Sequence, residues 1–398
     1  MEALHQKSNL LLSRISLNFQ RKLIQSIIWE GRLIGITGAR GVGKTTLLLQ
    51  VLKQKYAFSA TAIYLSADDL YFTEHKLYTT IKQFHIKGGK TVFIDEVHKY
   101  PNWSRELKNL YDTYPKLSII FSGSSSIDIL KEQVDLSRRA MIYELNGFSF
   151  KEYLSFSEIT QLNSFSLTDI LENHVSIAAE ISQKIQPLSH FSDYLRFGYY
   201  PFFKENPQTF YYRLEQIIRL ITEVDLQFID GFNPHYSRKL QQLLLILSES
   251  VPFKPNVSKL SERMGIHRNT LTQYLHYMAQ AKLLNLLMSD SHWISLLQKP
   301  EKLYLENTNI MYALLGNRAN SGTIRETFMM TSLKNHTKNV LLPKNGDFLI
   351  NDSFLIEVGG KNKTTKQIQE FPNAFLAVDD IEIGAINKIP LWLFGFLE

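Results

Sequence analysis

The chain has 398 residues, 44% of them hydrophobic and 21% charged, a globular balance that excludes a mostly disordered protein and predicts two or three domains. Its net charge of +6 is spread thinly, which permits a nucleic-acid partner without requiring one. No cysteine is present, so disulfides, thiolate metal sites and cysteine nucleophiles are ruled out, and with no secretory leader and no membrane-spanning apolar run the expected setting is cytoplasmic.

The first 150 residues alternate short apolar runs with amphipathic stretches, the pattern of a parallel sheet flanked by helices. Strands are predicted at Arg32–Thr37, Ala62–Ser66, Thr91–Asp95, Leu117–Ser122 and Met141–Leu145. Helices are predicted at Lys44–Lys55, Glu74–Phe84 and Trp103–Tyr111, with a short turn near Ile127–Lys131. The runs are almost wholly apolar, as both faces of a covered sheet require. The fold class is therefore α/β. From 151 to 250 helical periodicity takes over, broken at Phe197-Gly198-Tyr199-Tyr200-Pro201. A further segment spans 251–300, and a last one, richer in short strands, spans 301–398.

Gly38-Ala39-Arg40-Gly41-Val42-Gly43-Lys44-Thr45 matches G-x-x-x-x-G-K-[ST] in full. It follows the strand RLIGIT and opens the helix KTTLLLQVL, the context a phosphate-binding loop requires. Its backbone N–H groups would form an anion nest at a helix N-terminus, with Thr46 next along the chain. Lys44 would reach the β- and γ-phosphates, and the Thr45 hydroxyl would join a Mg²⁺ shell. ATP and Mg²⁺ are the expected ligands.

Thr91–Glu96 (TVFIDE) is an apolar strand ending in two carboxylates, at the edge where ligands bind in such sheets. Asp95 would hold Mg²⁺ through water and Glu96 would polarise the attacking water. An acidic helix start is the plain alternative. The strand Leu117–Ser122 runs into Ser122-Gly123-Ser124-Ser125-Ser126, where a hydroxyl such as that of Ser122 could sense the γ-phosphate or serve only as a turn. Arg138 and Arg139 offer a guanidinium for phosphate charge, in their own site or a neighbour's, or a solvated pair. His98, Lys99 and Arg105 read as surface.

The run Phe93–Tyr111, the SGSSS turn and Glu144–Leu154 (ELNGFSFKEYL) resemble the prokaryotic AAA-type ATPases of the archaeal-ATPase-like group. That resemblance covers nearly the whole chain. It implies a five-stranded core with one strand inserted between the phosphate-loop strand and the acidic one, then a helical segment, a winged helix and a C-terminal domain of unassigned function. It also implies the loop roles at Gly38–Thr45, the acidic pair Asp95 and Glu96, a sensor at the SGSSS turn and a basic element at Arg138–Arg139.

Downstream, Asn256–Met264, Gly265-Ile266 and His267–Gln280 read as helix, turn, helix, with Leu283–Ser289 as a wing strand. Val257, Leu260 and Met264 line one face, Leu271, Leu275 and Met278 another. Five Lys or Arg against one acid between Lys254 and Lys282, and an expected exposure of His267, Arg268, Asn269, Thr272 and Gln273, suit duplex DNA. A packing module is the alternative. Finally, a three-residue turn at Asn351-Asp352-Ser353 sets Asp347 opposite Glu357, a pair resembling the D…ExK core of restriction-type nucleases, with Glu326 as a third acid. The lysine expected two residues on is Gly359, with Lys361 or Lys363 as substitutes, so an inactive, structural cluster is expected. The overall expectation is a Mg²⁺-dependent ATPase, partnered by ATP and ADP and by duplex DNA or a protein. The runner-up is a nucleotide-controlled switch or scaffold, and a third reading is a DNA-cutting effector.

Overall fold

In the computed structural model the described residues are 1–124, 136, 138–228, 232–249, 257–289, 299–337, 339–364, 368 and 371–398. The turn expected near Ile127–Lys131, the serines 125 and 126, Lys254 and Asn256 lie outside them. The chain divides into two compact units, Met1–Asn146 and Gly147–Glu398.

The first unit is built on β1 (Leu33–Thr37), β2 (Ala62–Ser66), β3 (Thr91–Asp95), β4 (Ser118–Ser122) and β5 (Met141–Glu144), ordered β2-β3-β4-β1-β5. Every neighbouring pair is parallel. β4 lies between the phosphate-loop strand β1 and the acidic strand β3, the inserted strand that the resemblance implied. β1 and β3 are buried at all five positions, because helices cover both faces. One face holds a core of Ile63, Leu65, Ile94, Leu107, Leu110 and Phe121, each burial stabilising by roughly 1.5–3 kcal/mol before entropy is counted. A helix at Glu2–Arg14, unforeseen in the sequence, buries Leu4, Ser8 and Leu12, and its Ser8 hydroxyl accepts from the Tyr64 N–H at 3.1 Å.

The second unit opens with helices Phe150–Phe156 and Leu167–Ser182, each started by a capping box, Ser149 with Glu152 and Ser166 with Asp169. The helix Pro187–Asp193 runs into a π-helical turn, Tyr194–Gly198, at the break the sequence marked. The Leu195 carbonyl freed there accepts from Thr308 Oγ1 at 2.6 Å and Asn309 Nδ2 at 2.9 Å, so no buried acceptor is stranded. Helices Val257–Met264 and Arg268–Gln280 meet at Gly265, whose φ of +57° suits glycine, and the apolar faces named above are buried. β6 (Leu284–Leu287) then pairs antiparallel with β7 (Lys302–Leu305).

A mixed sheet follows, ordered β12-β11-β10-β9-β8, from β8 (Val340–Leu341), β9 (Phe348–Ile350), β10 (Phe354–Gly359), β11 (Ala374–Val378) and β12 (Lys388–Pro390). Two features tie together what the sequence divided at 250 and 300. The β6–β7 ladder crosses residue 300. Segment 391–396 returns to the unit's first helix, where Phe396 meets Phe150 edge-on at 5.7 Å and the Phe396 carbonyl accepts from the Phe165 N–H at 2.9 Å. Among the described residues no helix is long and apolar enough to cross a membrane.

Candidate functional site

Parallel pairing gathers the carboxyl ends of β1, β3 and β4 at one edge of the sheet. The loop after β1 turns on Gly38, Gly41 and Gly43, all at positive φ, and Gly43 leads into helix Lys44–Tyr56. At Gly38 (φ +149°) a Cβ would fall 2.2 Å from the Leu145 carbonyl oxygen, so only glycine fits. Ala39 and Val42 are buried beneath the loop, while Thr45 and Thr46 are exposed on the helix's first turn. Arg21, which nothing in the sequence singled out, braces the loop by donating to Val42 O at 3.0 Å and Asn146 O at 2.7 Å. Lys44 is buried and its ammonium donates to Gly38 O and Ala39 O, 2.9 Å each.

Asp95 is 2% exposed. Its Oδ2 accepts from Thr45 Oγ1 at 2.5 Å and Tyr64 Oη at 2.8 Å, and its Oδ1 accepts from the Ser122 hydroxyl and the Glu96 N–H. Burial and this carboxylate push the Tyr64 phenol far up, so it stays a donor. Carboxylate and hydroxyl oxygens are hard donors, and with Thr45 beside Asp95 the donor set fits a hard divalent ion that retains waters. No cluster of three His, Cys, Asp or Glu among the described residues is arranged to hold a metal on its own, so water and phosphate oxygens would have to complete such a shell.

Glu96 has a left-handed φ of +55° and heads the 3-10 turn Val97–Lys99. Its N–H also reaches Ser122 Oγ at 3.3 Å. Three nitrogens approach its Oε2: His98 Nε2 at 3.5 Å, Arg40 Nη1 at 3.7 Å and Lys99 Nζ at 3.7 Å. His98 is therefore no surface residue. Its side chain is 5% exposed, and its Nδ1 accepts from the Ser124 N–H at 3.3 Å. Lys99 pairs with Asp68 at 2.6 Å, and Arg105 is exposed as expected.

The structure thus brings together Gly38–Thr46, Asp95, Glu96 and Ser122 but not Arg138 or Arg139. These two precede β5, at the opposite edge of the sheet and about 13 Å, one strand length, from the loop. Arg139 is held by Asp112 at 2.8 Å and Arg138 is exposed. That placement does not bring either residue beside the loop of its own chain. Arg139→Ala should leave ATP turnover within about twofold of the parent; a drop of about tenfold or more in phosphate release would restore the residue to the site.

Two further expectations are corrected. On helix Arg268–Gln280 only the first turn is open: His267, Arg268 and Asn269 are exposed, but Thr272 is buried and donates to Arg268 O at 3.1 Å. Gln273 is half-buried against Tyr277. In the acid cluster the register holds, with Phe354 opposite Ile350, but Lys361 is exposed and takes no part. Instead Lys302, buried on β7, lies 3.1 Å from Asp347 and 3.5 Å from Glu326, and Lys363 lies 2.5 Å from Glu357. A Cβ at 359 would sit 2.5 Å from the Lys363 stem, so Gly359 makes the room that this lysine fills.

Burial and the Asp347 charge raise both the Glu326 and Glu357 carboxyls above the usual glutamate range. The folded chain therefore holds protons there that the unfolded chain releases. The stabilisation is complete below the ordinary glutamate pKa and is lost as pH rises through the raised values. Glu357→Gln should accordingly flatten the fall in melting temperature between about pH 4 and pH 7; an unchanged slope would show that this carboxyl does not titrate as described.

A family model described as an AAA domain matches residues 30–154, and one described as a domain of unknown function matches 188–321. Two uncharacterized proteins of Methanocaldococcus jannaschii are similar over most of the chain. One is 25% identical over 90% of this chain and 81% of its own length, the other 23% over 88% and 80%. Among solved structures, the replication initiator DnaA bound to AMPPCP and single-stranded DNA is 16% identical over 68% of this chain and 92% of that one, with a TM-score of 0.28. PCH-2 of C. elegans is 18% identical over 39% and 44%, with a TM-score of 0.23. Overlaps that loose carry no argument about partners. Residues 30–154, which carry the parallel sheet and the phosphate loop, are thus similar to an AAA domain.

Proposed function

We propose that the first unit binds ATP with Mg²⁺ and hydrolyses it to ADP and phosphate. The observation that carries this reading is the convergence of Thr45, Asp95, Ser122 and Glu96 beside the loop. The loop N–H groups and Lys44 hold the β- and γ-phosphates, and Mg²⁺, placed by Thr45 and Asp95 when bound, neutralises charge on them. Ser122 fixes the Glu96 backbone. Glu96 takes a proton from the water whose oxygen attacks the γ-phosphorus; the bond to the bridging oxygen breaks and ADP leaves with that electron pair. A phosphate-release assay with and without Mg²⁺ and duplex DNA tests the proposal, and a chain that binds ATP yet releases no phosphate would turn it into the nucleotide-controlled switch.

The proposal extends to duplex DNA only through the exposed first turn at His267, Arg268 and Asn269. Phosphate contact from Arg268 would make any stimulation by DNA weaken with salt. The acid cluster of the second unit is read as structural, its charge met by Lys302 and Lys363. DNA incubated with Mg²⁺ or Mn²⁺ should stay whole, and cleavage that vanishes in Asp347→Ala would promote the DNA-cutting reading.

A further inference from the structure

Of the three nitrogens facing Glu96, two belong to an arginine and a lysine and the third to an imidazole. Arg40 and Lys99 are partly exposed, at 15% and 39%, and Lys99 is shared with Asp68. Both are charges that a triphosphate would attract, and Arg40 stands in the phosphate loop itself. His98 differs. Its Nδ1 accepts the Ser124 N–H, so in the neutral ring the proton sits on Nε2, the nitrogen facing Glu96 Oε2.

Ser122 and Ser124 flank the end of β4. One accepts the Glu96 N–H, and the other fixes the ring that faces the Glu96 carboxylate. We infer that His98 is a positioning residue for ATP hydrolysis: its Nε2 stands 3.5 Å from Glu96 Oε2, longer than an ordinary hydrogen bond, and closing that gap would hold the carboxylate in line for the attacking water, with the Ser124 amide setting the tautomer that allows it. The inference rests on the reading of Glu96 as the group that polarises the water. It assigns a use to a residue whose sequence signal is slight, a histidine two positions after the acidic pair. The 3-10 turn Val97–Lys99 folds that residue back under Glu96.

The Ser124 bond and the approach to Glu96 can be separated by two substitutions in the intact chain. His98→Asn keeps an acceptor where Nδ1 sits but is too short to reach Glu96. His98→Gln reaches Glu96 with an amide N–H but gives up the Ser124 bond. Steady-state phosphate release should show kcat lower by about tenfold to a hundredfold in His98→Asn, with the KM for ATP within about twofold of the parent because the phosphate contacts are untouched. His98→Gln should recover most of that loss. Melting temperatures of both variants separate these effects from misfolding. A His98→Asn enzyme with parental kcat, or a His98→Gln enzyme no better than His98→Asn, overturns the inference while leaving the ATPase reading standing. A parent chain that releases no phosphate, or a Glu96→Gln chain that turns over normally, overturns that reading and the inference with it.

Discussion

Lys44→Ala should reduce ATP affinity by about a hundredfold to a thousandfold. The ammonium is buried and already directed at loop carbonyls, so its position is fixed before any phosphate arrives. A charge-assisted bond to each of two phosphates is worth roughly 1.5–2 kcal/mol, and losing both costs about 3–4 kcal/mol of binding. The loop backbone should survive, because Gly38, Gly41 and Gly43 set its path and Arg21 braces it from below. The variant should therefore melt near the parent and fail only in nucleotide titration. Affinity within about threefold of the parent would mean that the phosphates lie elsewhere.

Glu96→Gln should do the opposite, keeping the nucleotide and losing the chemistry. An amide cannot take the proton of the attacking water, and removal of a general base typically costs about 10²–10⁴ in rate. The substitution also removes the charge that Arg40 and Lys99 approach at 3.7 Å each. Both cations then lose one counter-charge beside the phosphate loop, so ATP affinity should hold or rise while phosphate release falls. Turnover at the parental rate would show that another group polarises the water.

The sequence was most legible where backbone chemistry leaves one solution. Five apolar runs gave the strands to within a residue, because a sheet covered on both faces admits almost no polar side chain. The loop was legible because its glycines are demanded by φ, as at Gly38. It was least legible where a polar residue is buried by a tertiary partner. His98 read as surface because a short 3-10 turn carries no periodicity; only Ser124 and Glu96 explain its burial. Lys302 gave no sign at all, since a lysine on a strand is ordinarily exposed, and it is held inside by acids from a helix and a hairpin tens of residues away. Arg138 and Arg139 show the converse: suitable chemistry that precedes β5 and so sits at the strand end away from the loop. On Arg268–Gln280, periodicity gave the buried face correctly but not how far burial extends around it, and Thr272 fell on the wrong side.

The packing of Phe396 against Phe150 has a bearing on how the protein is made. The first unit, residues 1–146, is compact by itself, so it can fold as soon as those residues have left the ribosome. The second unit cannot close until its last aromatic residues emerge, and until then Phe150, Phe191 and Phe328 lack the cover they have in the native state. Pairings that distant in sequence are slow to form. During synthesis a finished nucleotide-binding unit would thus trail a long, partly open segment, the stage at which this chain is most exposed to aggregation and most dependent on chaperones.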